Sequence, residues 1–342
     1  MRNRDLSLDL LRILSAISVI TIHVAGDYWS TVSIHSLEWQ TFNFYDSMAR
    51  FSVPAFVMIS GVLLLDTSYK LTVSNLFKKK ILRFILMFFI WSLFYTFVFT
   101  PPHNLKELLV SCFSGATHLW FLKMIIGLYI LIPILRKIVS DKQTARYFLI
   151  VYIVFSLFVY PLQGVNYFGI IYEQFIDNGY MYMPLGFTGY FIAGYYLKRM
   201  VTFKKNVRVC IYLLAIVGFI ITVIGTGVIS NAKGTATESL YDYLTPNVAM
   251  MTLGVFTFFN YRMPKIEFSD KMRSQIIKLS NYTLGIYLIH PFYVFILNRF
   301  HINALSMNPI ISVPFIVLIV FVLSLISATL LKKIPVVNKC IV

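Results

Sequence analysis

Two ionisable residues, Arg12 and His23, lie eleven positions apart in the otherwise apolar stretch LDLLRILSAISVITIHVAG at residues 8–26. In a helix, eleven residues make about three turns, so both side chains share one face and lie roughly 16 Å apart. That distance excludes an ion pair between them. Arginine suits an anionic group, and histidine is the usual general base near neutral pH. The stripe is therefore typical of a site that holds a long anionic substrate at Arg12 and moves a proton at His23.

A structural interpretation of the same stripe stays open. The Arg12 side chain can extend to the membrane interface beside Asp9, three residues earlier, while His23 packs as an ordinary histidine. Asp27, four residues after His23, can orient the imidazole as a carboxylate does in a catalytic triad. It can equally be a solvated residue where the helix ends, and this second interpretation is the one we favour.

The composition indicates the class of protein that must position these residues. Of 342 residues, 58% are hydrophobic and only 13% are charged, whereas a soluble domain has about 45–50% apolar and about 25% charged residues. We therefore predict an integral membrane protein. A net charge of +16 would suggest nucleic-acid binding in a soluble chain. Here the basic residues occur in short loops between apolar runs, which is the pattern that orients membrane proteins, and we predict no nucleic-acid partner.

Apolar runs of nearly membrane-spanning length recur along the whole chain. Each predicts a transmembrane helix, since a span needs about 20 residues. The runs lie at residues 7–25, 46–66, 81–100, 119–139, 145–162, 182–198, 208–230, 243–261, 279–297 and 310–331. The run at 182–198 is short and contains Gly186, Gly189 and Gly194. The fold class predicted is all-α: a polytopic bundle of about ten transmembrane helices, forming one domain over residues 1–342 with no appended soluble domain.

The loop charges alternate between the two sides of the predicted membrane. The basic side holds Arg2, Arg4, Lys70, Lys78, Lys79, Lys80, Arg136, Lys137, Lys142, Arg146, Lys198, Arg199, Lys204, Lys205, Arg262, Lys265, Lys271, Arg273, Lys332, Lys333 and Lys339. The other side holds Asp27, Glu38, Asp46, Glu107, Glu173, Asp177, Glu238 and Asp242. Because loops rich in Lys and Arg stay in the cytoplasm, we expect the basic side and both termini to be cytoplasmic.

Four sequence stretches resemble the acyltransferase-3 family of multispanning bacterial acyltransferases. They are LDLLRILSAISVITIH with the family's Arg-x10-His spacing, ARFSVPAFVMISGVLL, HLWFLKMIIGLYILIPIL and LGIYLIHPF. Because the four occur in order on the expected helices, the resemblance covers nearly the whole chain.

The resemblance implies an O-acyltransferase of the bacterial cell membrane. The transferred group would most often be acetyl, carried from cytoplasmic acetyl-CoA to a hydroxyl of a surface polysaccharide or its undecaprenyl-linked precursor. By the same resemblance His23 is the catalytic histidine and Arg12 its companion. Acyl-CoA is then a co-substrate, and we expect no permanently bound cofactor.

The basic stretch KKKILRF is the candidate site for the CoA phosphates. Lys and Arg clusters commonly bind phosphate groups, and Lys80-x-x-Arg83 is similar to a basic Arg-x-x-Arg spacing in the family. Lys78 and Lys79 are weaker candidates. The alternative is that all four basic residues only orient the membrane helices.

Four further residues are candidates for binding the acceptor. Arg50 can contact the acceptor or pair with Asp46, its i−4 neighbour. Trp120 can stack on a sugar ring or belong to the aromatic belt of the membrane interface, and His118 lies beside it. His290 is an intramembrane histidine, and such residues are functional candidates by default.

Other features indicate no further chemistry. The cysteines Cys112, Cys210 and Cys340 lie far apart, and no His, Cys or acidic cluster has metal-ligand spacing. We assign no role to Lys123.

The alternative function is a transporter or flippase for a glycan or lipid-linked intermediate, since intramembrane charges also mark transport pathways. A third class, a sensor or membrane anchor, lacks any appended domain to support it. Membrane lipid is an expected partner, and a homo-oligomer stays open.

Overall fold

The computed structural model describes residues 4–68, 71–161, 169 and 186–334, and all regular elements in these ranges are helical. The all-α prediction is confirmed. The helices before residue 161 are α1 (Leu6–Gly26), α2 (Leu37–Ala49), α3 (Ser52–Leu64), α4 (Leu82–Phe99), α5 (Leu105–Ser114), α6 (Trp120–Ile138) and α7 (Lys142–Tyr152). The later helices are α8 (Thr188–Tyr195), α9 (Lys205–Lys233), α10 (Pro246–Tyr261), α11 (Asp270–Ser280), α12 (Thr283–Arg299) and α13 (Pro309–Leu331). Outside the described residues lie Arg2, Lys70, Glu173, Asp177, Lys339, Cys340 and residues 182–185 of one predicted span.

Several of these helices are extended by short turns of different pitch. Turns of π-helix precede α4 and follow α7 and α8, and 3-10 turns precede α6 and follow α10. Their bounds are Leu76–Ile81, Ile153–Val159, Tyr196–Met200, Thr117–Leu119 and Met263–Lys265. Two of the predicted phosphate- and acceptor-binding residues, Lys80 and His118, lie in such turns rather than in regular helix.

In the described ranges, seven helical stretches are long and apolar enough to cross a membrane. They are Leu6–Gly26, Leu37–Leu64, Val73–Phe99, Thr117–Ile138, Lys142–Val159, Lys205–Lys233 and Pro309–Leu331. The predicted spans at 243–261 and 279–297 correspond to α10 and α12, which have 16 and 17 residues. Chains of this kind are membrane proteins, and the count of ten spans stays a prediction.

The second predicted span is broken rather than continuous. It begins at Leu37, earlier than the run at 46–66 suggests, and its two halves α2 and α3 meet at Arg50 and Phe51. Pro54 explains the break, because proline has no N–H for the carbonyl of Arg50 and its ring clashes with that carbonyl in a continuous helix. Arg50 thereby occupies the C-cap of α2.

Helices α3 and α8 cross at unusually close range because each has a glycine at the contact. A Cβ atom added to Gly61 would lie 1.8 Å from the carbonyl oxygen of Phe191, and one added to Gly194 would lie 2.1 Å from that of Met58. Small residues permit this kind of approach between membrane helices. The crossing places α3 as one wall of the cavity described below.

Helix α1 is the central element of the bundle and packs against α2, α3, α10, α11, α12 and α13. Asp5 caps its N-terminus, since its side chain accepts a hydrogen bond from the Ser7 N–H. The same carboxylate forms an ion pair with Lys198, with 2.6 Å between Nζ and Oδ2. Small buried residues, Ser15 and Ala16, let neighbouring helices approach between Arg12 and His23.

Polar contacts tie the elements together at both ends of the bundle. At the end that carries the basic loops, here called the basic end, Arg136 donates to the carbonyls of Leu64 and Asp66 at the end of α3. At the opposite, acidic end, Tyr241 donates to Asn43 of α2 over 2.7 Å. Asn43 in turn donates to a carbonyl of α9.

Candidate active site

Three histidines from distant parts of the chain meet near the acidic end of the bundle. His23 lies on α1, His118 in the turn before α6 and His290 on α12. The ring centroids of His23 and His290 are 4.9 Å apart, those of His118 and His290 are 5.9 Å apart, and those of His23 and His118 are 6.4 Å apart. The structure thus brings the predicted catalytic histidine together with two of the predicted acceptor-binding residues.

The surroundings of this histidine cluster are apolar and leave polar atoms unmatched. His118 and His290 are 3% and 0% exposed, and the Nε2 atoms of both rings have no hydrogen-bond partner in the described part of the chain. His23 is only partly buried. Buried polar atoms in native proteins almost always have partners, so these two nitrogens keep hydrogen-bonding capacity that the described contacts do not use.

Two tyrosines hold the cluster in place. The Tyr287 hydroxyl donates to the backbone carbonyl of His118, and the Tyr95 hydroxyl donates to the carbonyl of Leu288 over 2.7 Å. The Tyr95 ring also packs edge-on against the His118 ring at 4.7 Å. These contacts fix α12 to α4 and α6. Tyr287 lies one turn before His290 and could have been found from the 3.6-residue period, whereas nothing in the sequence pointed to Tyr95.

A cavity of about 270 Å³ lies between α1, α3, α4, α6 and α12. Arg12 lines it, as does Tyr287, whose ring lies 6.0 Å and 5.8 Å from those of His118 and His290. The remaining wall is mostly apolar and aromatic and includes Phe56, Ser60, Phe84, Ile125 and Tyr129. A mostly apolar cavity with one cation in its lining suits a flexible chain with an anionic end.

Arg12 faces this cavity without a protein counter-ion. Asp9, its expected partner, is instead bound by Arg4 at 2.7 and 2.8 Å and by Ser280 at 2.6 Å. Within the described residues Arg12 forms no hydrogen bond and no ion pair. The alternative in which Asp9 pairs with Arg12 is therefore not what the structure contains, and a partly buried cation is left available to an anion.

The basic cluster before α4 separates into two kinds of residue. Lys78 and Lys79 are exposed, whereas Lys80 and Arg83 are partly buried. Lys80 and Arg83 lie close enough for their charges to interact, and the charges of Arg83 and Arg12 both act on Tyr129 of the cavity wall. Of the predicted phosphate-binding residues, Lys80 and Arg83 are the partly buried pair, and Arg83 directly precedes Phe84 of the cavity wall.

A second cavity, of about 510 Å³, opens at the acidic end. Its aromatic wall is formed by Trp120, whose ring stacks on Tyr243 at 5.8 Å and contacts Phe187 at 5.7 Å. Glu238 and Asp242 add carboxylates to the lining. We call this cavity the outer cleft. Tyr241 and Tyr243 come from a loop without periodicity, so the sequence alone could not assign them to it.

Arg50 forms an ion pair with Asp46 and also lines the outer cleft. It forms the predicted ion pair with Asp46, with 2.5 Å between Nε and Oδ1, and its guanidinium lies over the Tyr241 ring at 4.1 Å. The same guanidinium lines the outer cleft. Arg50 therefore belongs both to the predicted ion pair and to the lining of the cleft.

Two residues left without a firm assignment have structural partners. Asp27 accepts a hydrogen bond from Asn298, so it joins α1 to α12 rather than orienting His23. Lys123 donates to the carbonyl of Ser114 over 3.0 Å and thereby caps the C-terminus of α5, a position that favours a cation. In the described ranges no group of three or more His, Cys, Asp or Glu side chains is arranged to hold a metal ion.

Comparison with known proteins identifies the family but no individual relative. Searches of curated proteins and of solved structures give no match. The profile of the acyltransferase-3 family, described as an acyltransferase domain, matches residues 5–331. This range contains the histidine cluster, the Arg12 cavity and the outer cleft. The chain therefore belongs to the acyltransferase-3 family of integral membrane acyltransferases.

Proposed function

We propose that the protein transfers an acyl group, most often acetyl, from acyl-CoA to a hydroxyl of a cell-surface saccharide or its lipid-linked precursor. The observation that carries the proposal is the cavity lined by an unpaired Arg12 and by Tyr287, whose ring neighbours His118 and His290 of the histidine cluster. The cavity offers an anion site at Arg12, a proton acceptor lies beyond Tyr287, and acyl-CoA has a matching combination of phosphates and a distant thioester.

The basic end supports the donor side of this reaction. Arg12 lines the cavity, Lys80 and Arg83 supply two further cations at the basic end, and guanidinium groups bind phosphates by charge-assisted hydrogen bonds. The pantetheine arm would then extend along the apolar wall toward Tyr287. Because the basic loops are predicted to be cytoplasmic, the donor would enter from the cytoplasm.

The outer cleft supports the acceptor side. Sugar rings have apolar faces that pack on aromatic side chains, and their hydroxyls suit nearby charged groups. Trp120 and Tyr243 provide such a surface, while Arg50 and the carboxylates of Glu238 and Asp242 provide polar contacts. In length and in the order of its motifs the chain is similar to the enterobacterial common antigen O-acetyltransferase. That similarity favours a glycan acceptor and the bacterial inner membrane as the location.

The chemistry requires one proton to move twice. His23 removes the proton from the acceptor hydroxyl, and the resulting oxygen nucleophile attacks the thioester carbonyl. The C–S bond breaks as the ester forms, and His23 returns the proton to the CoA sulfur. General-base catalysis of this kind contributes about 10²–10⁴ in rate, so His23→Ala is expected to lose at least that factor.

The proposal is tested with purified protein in liposomes supplied with acetyl-labelled CoA and a panel of saccharides and polyprenyl-linked saccharides. The expected result is transfer of label by the wild type, with a loss of at least 100-fold in His23→Ala and no change in His35→Ala, an exposed control. Label transfer by His23→Ala at the wild-type rate would remove His23 from the chemistry. Absence of CoA binding, with flipping or uptake of the saccharide, would replace the proposal by the transport alternative.

A further inference from the structure

We infer that His290 is a positioning residue for His23: its Nε2 accepts a hydrogen bond from a ring N–H of His23 and so fixes which nitrogen of His23 is the base. The inference rests on the proposed function only for the role of His23. The orientation of the two rings is argued from the structure alone.

The protonation pattern of His290 follows from its backbone contact. Its Nδ1 lies 2.6 Å from the carbonyl oxygen of Tyr287, one turn earlier on α12. A carbonyl oxygen only accepts hydrogen bonds, so Nδ1 carries the proton. In a neutral imidazole the other nitrogen is then an acceptor. The Nε2 atom of His290 therefore carries a lone pair that can accept a hydrogen bond, and the residue is fully buried.

That lone pair has no partner in the described part of the chain. An unmatched buried acceptor costs about 1–3 kcal/mol, which favours any nearby donor that can turn toward it. The nearest histidine ring is that of His23, with centroids 4.9 Å apart and planes at 55°. His23 itself has no other hydrogen bond among the described residues. One N–H of His23 directed at His290 satisfies both rings.

Two other residues are less suited to this role. Asp27, the carboxylate nearest to His23 in the sequence, is engaged by Asn298. His118 also has an unmatched Nε2, but its ring is more distant from His23, at 6.4 Å, and perpendicular to it. His290 is thus the best-placed acceptor in the cluster.

The consequence for the reaction is a single reactive nitrogen on His23. One ring nitrogen holds its proton toward His290 throughout the cycle. The other is bare, takes the proton of the acceptor hydroxyl and later returns it to the CoA sulfur. In catalytic triads a neighbouring carboxylate fixes the tautomer of the catalytic histidine in the same way. Here a neutral imidazole does so, and no buried negative charge is needed.

Amide substitutions separate this role from simple packing. The side-chain oxygen of His290→Gln can reach the position of Nε2, whereas that of His290→Asn cannot. We expect kcat for acetyl transfer to fall about 100-fold in His290→Asn and to recover at least tenfold in His290→Gln, with the KM for acetyl-CoA unchanged in both. His35→Asn is the control. Equal activity of the two His290 variants, or a full-rate His290→Asn, would overturn the inference.

A spectroscopic measurement tests the inference without any substrate. In nitrogen-15 spectra of histidine-labelled protein in lipid, His23 is identified by the signals lost in His23→Ala. The expected result is a single His23 tautomer in the wild type and a mixture of tautomers in His290→Asn. An identical His23 tautomer pattern in both proteins would refute the inference. A failed acyl-transfer assay would leave this result unaffected, so the two hypotheses fail separately.

Discussion

The setting of Arg12 separates a binding role from a structural one. An arginine in the hydrocarbon region costs about 2.5–3.5 kcal/mol on insertion scales, and structural arginines usually recover this cost through a carboxylate. Asp9 could have done so, yet Arg4 and Ser280 occupy it. The guanidinium instead faces a cavity, which is the arrangement expected for a residue that meets its counter-ion only when substrate binds.

The first prediction concerns this guanidinium. Arg12→Gln is expected to weaken acyl-CoA binding by about tenfold or more, because a hydrogen bond to a charged group contributes about 1.5–3 kcal/mol. Arg12→Lys retains the charge without the forked donors, so its affinity for acyl-CoA is expected to lie between those of the wild type and Arg12→Gln. Isothermal titration of the detergent-solubilised protein with CoA measures the change.

The control for this prediction is Arg299→Gln, which removes an exposed arginine at the far end of α12. Its affinity for CoA is expected to equal that of the wild type. If Arg12→Gln also binds CoA normally, the anion site lies elsewhere and the assignment of the cavity as the donor site is wrong.

The sequence identified candidate residues of the site, but it did not predict how their side chains are arranged in space. The helical period placed Arg12 and His23 on one face, the intramembrane position marked His290 as unusual, and His118 was a candidate because it lies beside Trp120. That the three histidines converge depends on how α1, α6 and α12 pack, and no local pattern encodes such contacts. The ion pair of Asp9 with Arg4 likewise depends on how the chain packs.

At the scale of the element, the N-terminus of α1 depends on Asp5. Burial alone would raise the pKa of this carboxyl, but the hydrogen bond and charge of Lys198 and the Ser7 N–H outweigh it, so the pKa lies below its ordinary 3.8. A carboxylate with a lowered pKa stabilises the folded state above its unfolded pKa, and this stabilisation is lost as the pH falls through the folded value.

Asp5→Ala is therefore expected to lower the melting temperature at pH 7.5, and its effect is expected to shrink as the pH falls below 3.8 toward the lowered pKa. An N-cap contributes about 1 kcal/mol, which corresponds to roughly 1–2 °C in a chain of 342 residues. Circular dichroism of the detergent-solubilised protein measures both midpoints, with the exposed loop variant Glu267→Ala for comparison. A loss in Asp5→Ala that does not depend on pH would contradict the electrostatic part of the argument.

The crossing of α3 and α8 gives a prediction with a matched control. In Gly61→Ala the new methyl group would lie 1.8 Å from the Phe191 carbonyl oxygen, so the helices must separate. Overpacking of this kind costs about 1–3 kcal/mol, and we expect a clear fall in melting temperature. Gly127→Ala meets nothing within 4 Å and is expected to be neutral or stabilising, because alanine favours helix by about 1 kcal/mol over glycine. Equal midpoints for the two variants would show that the crossing tolerates a side chain.

Hydropathy predicted most of the helices but not their interruptions. The long apolar runs became helices because each must satisfy its backbone internally in the membrane. The break in the helix at Arg50 follows from Pro54, which is visible in the sequence. The position of Arg50 in the outer cleft also depends on α2 beginning as early as Leu37, which hydropathy did not predict. The π turns that carry Lys80 leave no recognisable pattern in hydropathy.

At the scale of the whole molecule, the Arg12 cavity and the outer cleft are separate, and the histidine cluster lies near the acidic end. The Arg12 cavity includes Tyr287 in its lining, and the outer cleft includes Arg50. Arg12 and His23 are roughly 16 Å apart along α1, which a flexible acyl-CoA arm can span. In the proposed reaction this arrangement would keep the charged nucleotide apart from the saccharide.

This arrangement predicts that acyl-CoA acts from one side of the membrane only. Acyl-CoA is highly charged and does not cross lipid bilayers, and the cations that would bind it all lie at the basic end. In membrane vesicles of defined orientation, acetyl-CoA added to the basic face is expected to support acyl transfer. The same addition to the opposite face is expected to give none until the vesicles are opened with detergent. Transfer of equal rate from both faces in sealed vesicles would contradict a donor cavity with its entrance at Arg12.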